Sequence, residues 1–395
     1  MPTFVQLRLT NLCNLRCKMC GQWGDTGIFR EKAGAEATDG RAEQERIREL
    51  IGRSRQMSLA DYVQLLDELA PNKPVISLFG GEPFLYPEIM PLIREIKARG
   101  LTVTIITNGW FLERHARELV EAGVDTIAVS VDGPPELHDR IRARDSSFSR
   151  LASGVRAVAE WRQKLGRALP VQMAILPITE LNADALDAAV AALRELPLEL
   201  VNIGLRWFVP SEAGARYEQV MQETFGVEGT SWKGFDFRWP AGADRTRELT
   251  SLTGSLRALR RRRVRDWFSG RPWTSFVPAI AAKDVPAYFK EPERVFGHDL
   301  CPVAWYFAQV EPDGEVCFCG DFPDYMIGNV RKAAFREIWG GPKAQAFREK
   351  LAREPLPICA RCCGSFVYGK WRRPAPRGAA PSRLEAPSQS PIPEA

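Results

Sequence analysis

Cys13-Asn14-Leu15-Arg16-Cys17-Lys18-Met19-Cys20 is the stretch on which the reading of this chain turns. Its three cysteines, spaced four and then three apart, follow a short apolar run, Phe4 to Leu9. Three thiolates on one tight loop can hold three irons of a cubic [4Fe–4S] cluster and leave the fourth iron open. An open iron takes a ligand, which separates a reactive cluster from a sealed one. Two plainer readings compete: a zinc loop short of a fourth ligand, and three buried structural thiols.

Size and composition narrow the setting. A chain of 395 residues suits a large α/β core plus a smaller module. At 45% hydrophobic and 26% charged it has an ordinary globular composition. No apolar run approaches the roughly 20 residues of a membrane span, and the N-terminus carries no signal-peptide pattern, so a cytoplasmic protein without a membrane partner is expected. All nine cysteines fall in two groups: Cys13, Cys17 and Cys20, then Cys301, Cys317, Cys319, Cys359, Cys362 and Cys363. In such a chain, clustering of this kind reads as metal ligation rather than a disulfide framework. A net charge of +5 over this length is too weak to argue for nucleic acid.

Strand and helix signals alternate through the first half. Strands are expected at Phe4–Thr10, Val75–Phe79, Thr102–Ile106, Thr126–Val131, Val171–Leu176 and Leu200–Phe208. Helices are expected at Glu88–Arg99, Glu113–Ala122, Phe148–Leu165 and Ala183–Glu195. Ser58 is placed to cap a further helix with Leu59, Val63, Leu66 and Leu69 on one face. Short, continuously apolar strands suit a parallel sheet buried on both faces, and six βα units suggest a partial barrel open on one side. In such barrels function gathers at the C-terminal ends of the strands. The cysteine loop, Gly80–Pro83, Thr107–Gly109 and Ser130–Gly133 all fall there.

With the cysteine loop after a first strand and Gly80-Gly81-Glu82-Pro83 at the end of a second, the sequence resembles the radical S-adenosylmethionine (SAM) superfamily. The C-terminal cysteines look like its SPASM/Twitch branch. The resemblance covers about residues 4–208 and 296–371 and implies a partial (β/α)6 TIM-like barrel followed by a small Fe–S module. It implies a cluster held by Cys13, Cys17 and Cys20, with SAM on the open iron. Gly80, Gly81, Glu82 and Pro83 would meet the SAM amine, the glycines letting backbone carbonyls approach closely and Pro83 fixing the turn. Ser130 and Arg142 stand where the family's partners of the SAM carboxylate often are, with Arg140 and Arg144 as rivals, and an Arg fork suits a carboxylate. Asn108 would approach SAM from the third strand, or serve only as a turn former. Asp132 would lie toward the ribose, and Met19 against the adenine.

In the C-terminal group, Pro312-Asp313-Gly314-Glu315 reads as a hairpin turn between Ala308–Val310 and Val316–Phe318. Cys301, Gly314 and Cys319 match the opening half of the SPASM/Twitch pattern, and Cys359 with Cys362 supplies a C-x2-C pair. Those four thiolates would close one auxiliary [4Fe–4S] cluster, with Cys317 and Cys363 able to replace a neighbour. Two auxiliary clusters would need about seven or eight thiolates, and six are present, so one auxiliary cluster is expected. A zinc ribbon is the alternative use of the same cysteines.

Residues 24–57 read as an insertion, either a polar excursion or a lid over the loop. Residues 1–208 would form the barrel, 209–295 a bridging segment shaping the substrate pocket, 296–372 the auxiliary module and 373–395 a disordered tail. The run Arg260–Arg263 would be a solvated helix face, or a patch for an acidic substrate, leader peptide or RNA.

The mechanism implied by the resemblance is reductive cleavage of SAM to a 5′-deoxyadenosyl radical, which abstracts hydrogen from the substrate. The auxiliary cluster relays an electron, in peptide or protein modification or cofactor maturation. Flavodoxin or ferredoxin would supply the reducing electron, and the substrate would be a peptide or a small molecule. The chain begins almost at its first strand, which argues against a built-in leader-binding domain. A small-molecule dehydrogenase is the rival enzyme, and a non-catalytic Fe–S or zinc scaffold or electron carrier the rival of another class.

Overall fold

Six strands lie side by side in chain order, each parallel to the next: β1 (Phe4–Arg8), β2 (Val75–Phe79), β3 (Thr102–Thr107), β4 (Thr126–Ser130), β5 (Val171–Ile178) and β6 (Leu200–Leu205). The computed structural model describes residues 1–25, 27–29, 56–297, 301–362 and 364. Most of the expected 24–57 insertion, together with His298, Cys363 and the tail 373–395, lies outside them.

The sheet does not stop at six strands. From the segment 209–295, β7 (Trp273–Val277) adds parallel to β6. At the other edge β8 (Phe307–Val310) adds parallel to β1, and β9 (Glu315–Cys317) and β10 (Gly328–Asn329) continue antiparallel. The C-terminal cysteine segment is thus hydrogen-bonded into the same sheet. Its hairpin turns at Gly314, which sits at φ +90, and the Glu311 N–H donates to the Glu315 carbonyl (2.8 Å).

Helices α1 (Leu59–Leu69), α2 (Ile89–Ala98), α3 (Leu112–Glu121), α4 (Pro135–Arg142), α5 (Ser147–Leu165) and α6 (Leu186–Arg194) connect the first six strands. At the start of α1 the Ser58 hydroxyl accepts from the Asp61 N–H (3.2 Å) and the Asp61 carboxylate accepts from the Ser58 N–H (2.8 Å), a reciprocal capping box. Tyr62, Leu65, Leu66 and Leu69 form its buried stripe.

β3 and β5 alternate between buried and more exposed residues, whereas β2 and β4 are buried along their middles. Val5, Leu7 and Leu9 of the first strand and its exit, Val103 and Ile105 of β3, and Ala174, Leu176 and Ile178 of β5 are fully buried in the main core. The intervening Gln6, Thr104, Ile106, Ser130, Met173, Ile175 and Asn202 are half-buried. One face packs on helices and the other lines an inner concavity.

Past β6 come α7 (Ser211–Phe225), the long α8 (Ala243–Phe268) and α9 (Val285–Lys290), then α10 (Val303–Tyr306), α11 (Phe335–Gly340) and α12 (Pro342–Arg353). The basic run of α8 is a docking surface within the chain. Arg260 donates to the Ile280 carbonyl (2.6 Å), Arg262 faces Asp187 of α6 (3.8 Å), and Arg263 lies over the Trp273 ring of β7 (5.2 Å). Among the described residues no helix is long and apolar enough to cross a membrane.

Removing the chain from residue 301 onward would strip β8 from β1 and leave a buried parallel strand as an open edge. Such a truncation is expected to aggregate in light scattering. A monodisperse product with native far-UV circular dichroism would contradict this role for β8.

Candidate active site

The cysteine loop leaves β1 and is pinned on several sides. The Lys18 N–H donates to the Ile141 carbonyl of α4 (2.9 Å), Cys20 N–H to Cys17 (3.0 Å), and Gly24 N–H to Cys20 (2.8 Å). Each sulfur meets a donor. Leu15 N–H points at Cys13 Sγ (3.5 Å), Gln22 and Trp23 N–H at Cys20 Sγ (3.4 and 3.5 Å), and Arg142 Nη1 at Cys17 Sγ (3.7 Å). Burial pushes the Cys13 thiol well above its usual range and the Cys17 thiol up to about 12, the latter against the pull of Arg142. Thiols placed this way become thiolates when a cation joins them, and N–H donors at the sulfurs suit an Fe–S cluster. The donor set fits the group.

Gly80-Gly81-Glu82-Pro83 closes over the start of the loop. A Cβ on Gly81 would stand 2.1 Å from the Leu12 carbonyl oxygen, and one on Gly80 would stand 2.5 Å from that of Thr10. Gly81 N–H donates to Thr10 (2.8 Å) and Glu82 N–H to Leu12 (2.7 Å). Glycine is required here for backbone-to-backbone contact within the protein, a reason the motif alone did not reveal. Pro83 opens a 3-10 turn, Pro83–Leu85. The Glu82 side chain is fully buried and turned to β3. It accepts from Thr107 Oγ1 (2.8 Å), Asn108 N–H (2.9 Å) and Phe84 N–H (3.2 Å). Burial raises it to about 7 against those bonds. Asn108 in turn donates from Nδ2 to Asn14 of the cysteine loop (2.9 Å).

Arg142 and Asp132 are brought together as a buried pair, Nε to Oδ2 2.5 Å. Asp132 thus faces a guanidinium, and Arg142 faces both Asp132 and Cys17. Burial pushes the Asp132 carboxyl up, with Arg142 opposing; burial also opposes the Arg142 charge, which Asp132 and Cys17 more than offset. His138 receives the Asp132 N–H at Nδ1 (3.2 Å), so its proton sits on Nε2, facing Ser147 Oγ (3.3 Å). Burial, then Arg142, drives His138 down to about 2, so it stays neutral. Ser130 ends β4 half-buried. Of the rivals of Arg142, Arg144 reaches the Asn14 carbonyl (3.3 Å) and stacks over Trp110 (4.3 Å).

The second thiol group forms from distant segments. Cys301 precedes α10, Cys319 follows β9, Cys359 lies in the 3-10 turn Pro357–Arg361, and Cys362 follows it. A hydrogen bond with Cys301, then burial, then the charges of Cys301, Cys362 and Cys319 hold Cys359 well above its usual range. Burial, then Cys301 and Cys362, do the same for Cys319. Cys317 lies at the margin. Its thiol donates to the Cys319 carbonyl (3.7 Å), and after burial the leading influences on it are Glu311, Arg8, Asp324 and Asp321. Among the described residues no three His, Cys, Asp or Glu side chains close on one point as a single ion requires. A four-iron cube takes one thiolate per iron and so needs a wider spread than tetrahedral zinc.

Several residues of 209–295 touch segments that carry the two thiol groups. The Phe235 ring lies where a Cβ of Gly21 would fall (2.7 Å) and packs on Phe322 (5.1 Å), whose N–H donates to Cys319 (3.1 Å). Asp324 accepts from Tyr217 Oη of α7 (2.9 Å) and Ser231 N–H (3.1 Å). Arg361, between Cys359 and Cys362, is buried and donates to the carbonyls of Tyr288 in α9 (2.8 Å) and of Glu291 (2.5 Å) and Arg294 (2.7 Å) just after it.

Three further residues went unread in the sequence. Arg8 of β1 is buried and pairs with Glu311 (Nη1 to Oε2, 3.3 Å), which also accepts from Gln309 Nε2 of β8 (2.5 Å). The signal was present: a Gln and an Arg at alternate positions of an apolar strand mark a polar inner face.

Residues 7–166 match the family model of the radical SAM superfamily, and residues 301–363 match that of the SPASM iron–sulfur cluster-binding domain. The AdoMet-dependent heme synthase of Methanosarcina barkeri is 24% identical over 388 residues, covering 93% of this chain and 89% of that protein. The tungsten-containing aldehyde ferredoxin oxidoreductase cofactor-modifying protein of Pyrococcus furiosus is 27% identical over 379 residues, covering 91% and 86%. Among solved structures, Streptococcus suis SuiB bound to precursor peptide SuiA superposes with a TM-score of 0.56 at 13% identity, over 94% of this chain and 72% of that one. Native anSMEcpe with bound AdoMet gives 0.54 at 14% identity, over 94% and 93%. At these identities the two structures speak for the fold.

Two substitutions test the buried charges in the cluster-free chain. Arg142→Gln leaves Asp132 buried without its cation and should lower the unfolding free energy by about 3–5 kcal/mol in urea titration. A loss under about 0.5 kcal/mol would mean the pair is not formed. Glu82, raised from 4.5 to about 7 on folding, favours the protonated folded state. Its contribution is full below pH about 4.5 and is lost as pH rises through about 7. Wild type should therefore lose roughly 3 kcal/mol across that window relative to Glu82→Gln. Parallel pH profiles would contradict the assignment.

Proposed function

We propose that this chain, a radical SAM superfamily enzyme with a C-terminal SPASM domain, matures a cofactor or modifies a peptide by a net oxidation that uses one auxiliary cluster. When bound, the first [4Fe–4S] cluster and SAM supply a hydrogen-abstracting radical, and the auxiliary [4Fe–4S] cluster supplies an electron carrier. The carrying observation is the presence of two thiol groups of different valence. Three thiols, each facing a donor, sit at the end of β1, and four from distant segments meet beside β9.

Cys13, Cys17 and Cys20 hold the first cluster. Leu15, Gln22 and Trp23 N–H groups steady its sulfurs, and Arg142, backed by Asp132, sets a positive charge beside Cys17. Glu82 fixes the end of β3 so that Gly80–Pro83 keeps its shape, and Asn108 and Ser130 border the SAM pocket on the next strands. Cys301, Cys319, Cys359 and Cys362 close the second cluster. Cys317 stays outside it, its sulfur committed to a backbone carbonyl. Phe235 packs between Gly21 beside the first group and Phe322 near Cys319.

The names of the long relatives favour cofactor maturation, and the peptide in the SuiB structure favours a peptide. A reductant is required, and a flavodoxin or ferredoxin fits that role.

The test is 5′-deoxyadenosine formation from SAM by the anaerobically reconstituted, reduced protein, without substrate. Wild type should form it, Cys17→Ala should fall to background, and Cys319→Ala should retain it. If wild type neither binds nor cleaves SAM, the enzyme reading fails.

A further inference from the structure

The inner face of the sheet carries a polar group that nothing in the described protein completes. Arg8 is 3% exposed and lies on the inner row of β1 with Gln6, opposite to Leu7 and Leu9. Gln6 is in register with Gln309 of β8 on one side and Ser77 of β2 on the other, so all these side chains share one face. Arg8 uses Nη1 for Glu311 (3.3 Å). Its Nε and Nη2 are shielded from solvent and meet no acceptor among the described residues. Gln309 gives its Nε2 to Glu311 (2.5 Å) and to the Gly320 carbonyl (3.1 Å), which leaves its Oε1 without a donor. Ser77 Oγ is likewise unpartnered.

A buried polar atom without a partner is unfavourable, and here several share one strip of an inner wall. The pattern at Arg8 is specific. With Nη1 committed to Glu311, the open atoms are Nε and Nη2, adjacent donors on one side of the planar guanidinium. That edge is the fork that accepts both oxygens of a carboxylate. Glu311 holds the guanidinium in orientation without covering the fork. Phe29 lies beside it, its ring centroid 5.7 Å from Arg8 Cζ, and packs at a tilt on Trp23 just after the cysteine loop (5.1 Å).

We propose that Arg8 anchors a carboxylate of the substrate, with Gln309 accepting from a neighbouring N–H or O–H, so that the substrate class is a carboxylic acid. This deepens the proposed function and rests on it for the claim that the anchored ligand is the substrate. The position fits, since Arg8 ends the strand that runs straight into the cysteine loop. The anchor joins the two halves of the protein: Arg8 comes from the first strand and Glu311 and Gln309 from the strand and turn that open the C-terminal module. A ligand seated there is held where the two halves meet.

The experiment is calorimetric titration of the anaerobically reconstituted full chain with benzoate and with benzamide, equal in shape and different in charge. Wild type should bind benzoate at least about tenfold more tightly than benzamide. Arg8→Gln should abolish the preference. Arg8→Lys keeps a cation against Glu311 and so protects the fold, but it has no fork and should reduce the preference severalfold. A melting temperature and iron content matching wild type would show that Arg8→Lys is folded. Equal binding of the two probes, binding of neither, or a preference that survives both substitutions would overturn the proposal. Substrate-free 5′-deoxyadenosine formation by wild type, run alongside, separates the two readings: its absence sinks the enzyme reading, whereas a missing benzoate preference with SAM cleavage intact sinks only the anchor.

Discussion

The backbone of Gly80–Glu82 lies so close to that of Thr10–Leu12 that no side chain fits between them: a Cβ at Gly81 would meet the Leu12 carbonyl at 2.1 Å. Two N–H donors, from Gly81 and Glu82, bind the turn to the entry of the cysteine loop. That contact fixes the loop against β2, and the rest of the site follows from it. Glu82, carried on the same turn, bonds the end of β3, and Asn108 reaches back from there to Asn14 of the loop. From the far side α4 brings Ile141 to Lys18 and Arg142 to Cys17. Three strand ends and one helix thus converge on one loop, which is the preorganisation a reactive cluster site requires.

Much of this was legible in the sequence. The first cysteine group, the order of strands and helices, the Ser58 cap and the hairpin turn at Gly314 are local signals, carried by spacing and turn residues. What escaped were features decided by distant contacts or by period. Phe4–Leu9 reads as an apolar run, yet its Gln6 and Arg8 alternate with Val5 and Leu7, and only the pairing of β1 between β2 and β8 shows that this period-2 pattern lines up with Ser77 and Gln309 on an inner wall. β7 was hidden in a stretch where aromatics mix with Gly and Pro, because its strand character comes from pairing with β6. Asp132 and Arg142 were each placed near SAM by resemblance, and their mutual contact depends on how α4 packs.

The segment 209–295 gains a physical role from its contacts. Phe235 lies between Gly21 and Phe322, Asp324 ties α7 and Ser231 to the turn after Cys319, and Arg361 spreads its donors over three carbonyls near the end of α9. Both thiol groups are thus packed against the same stretch of chain. Together with the β1–β8 pairing, this couples the C-terminal module to the barrel through the sheet and through the wedge. A shift in one would strain the other, so the relative position of the two sites is part of the fold.

The central claim is that the two thiol groups hold one cluster each, and iron and acid-labile sulfide content tests it most directly. Wild type reconstituted under anaerobic conditions should carry about eight irons, and the Cys13/Cys17/Cys20→Ala variant about four. About four irons with bound zinc in wild type, or a count unmoved by the triple substitution, would contradict it.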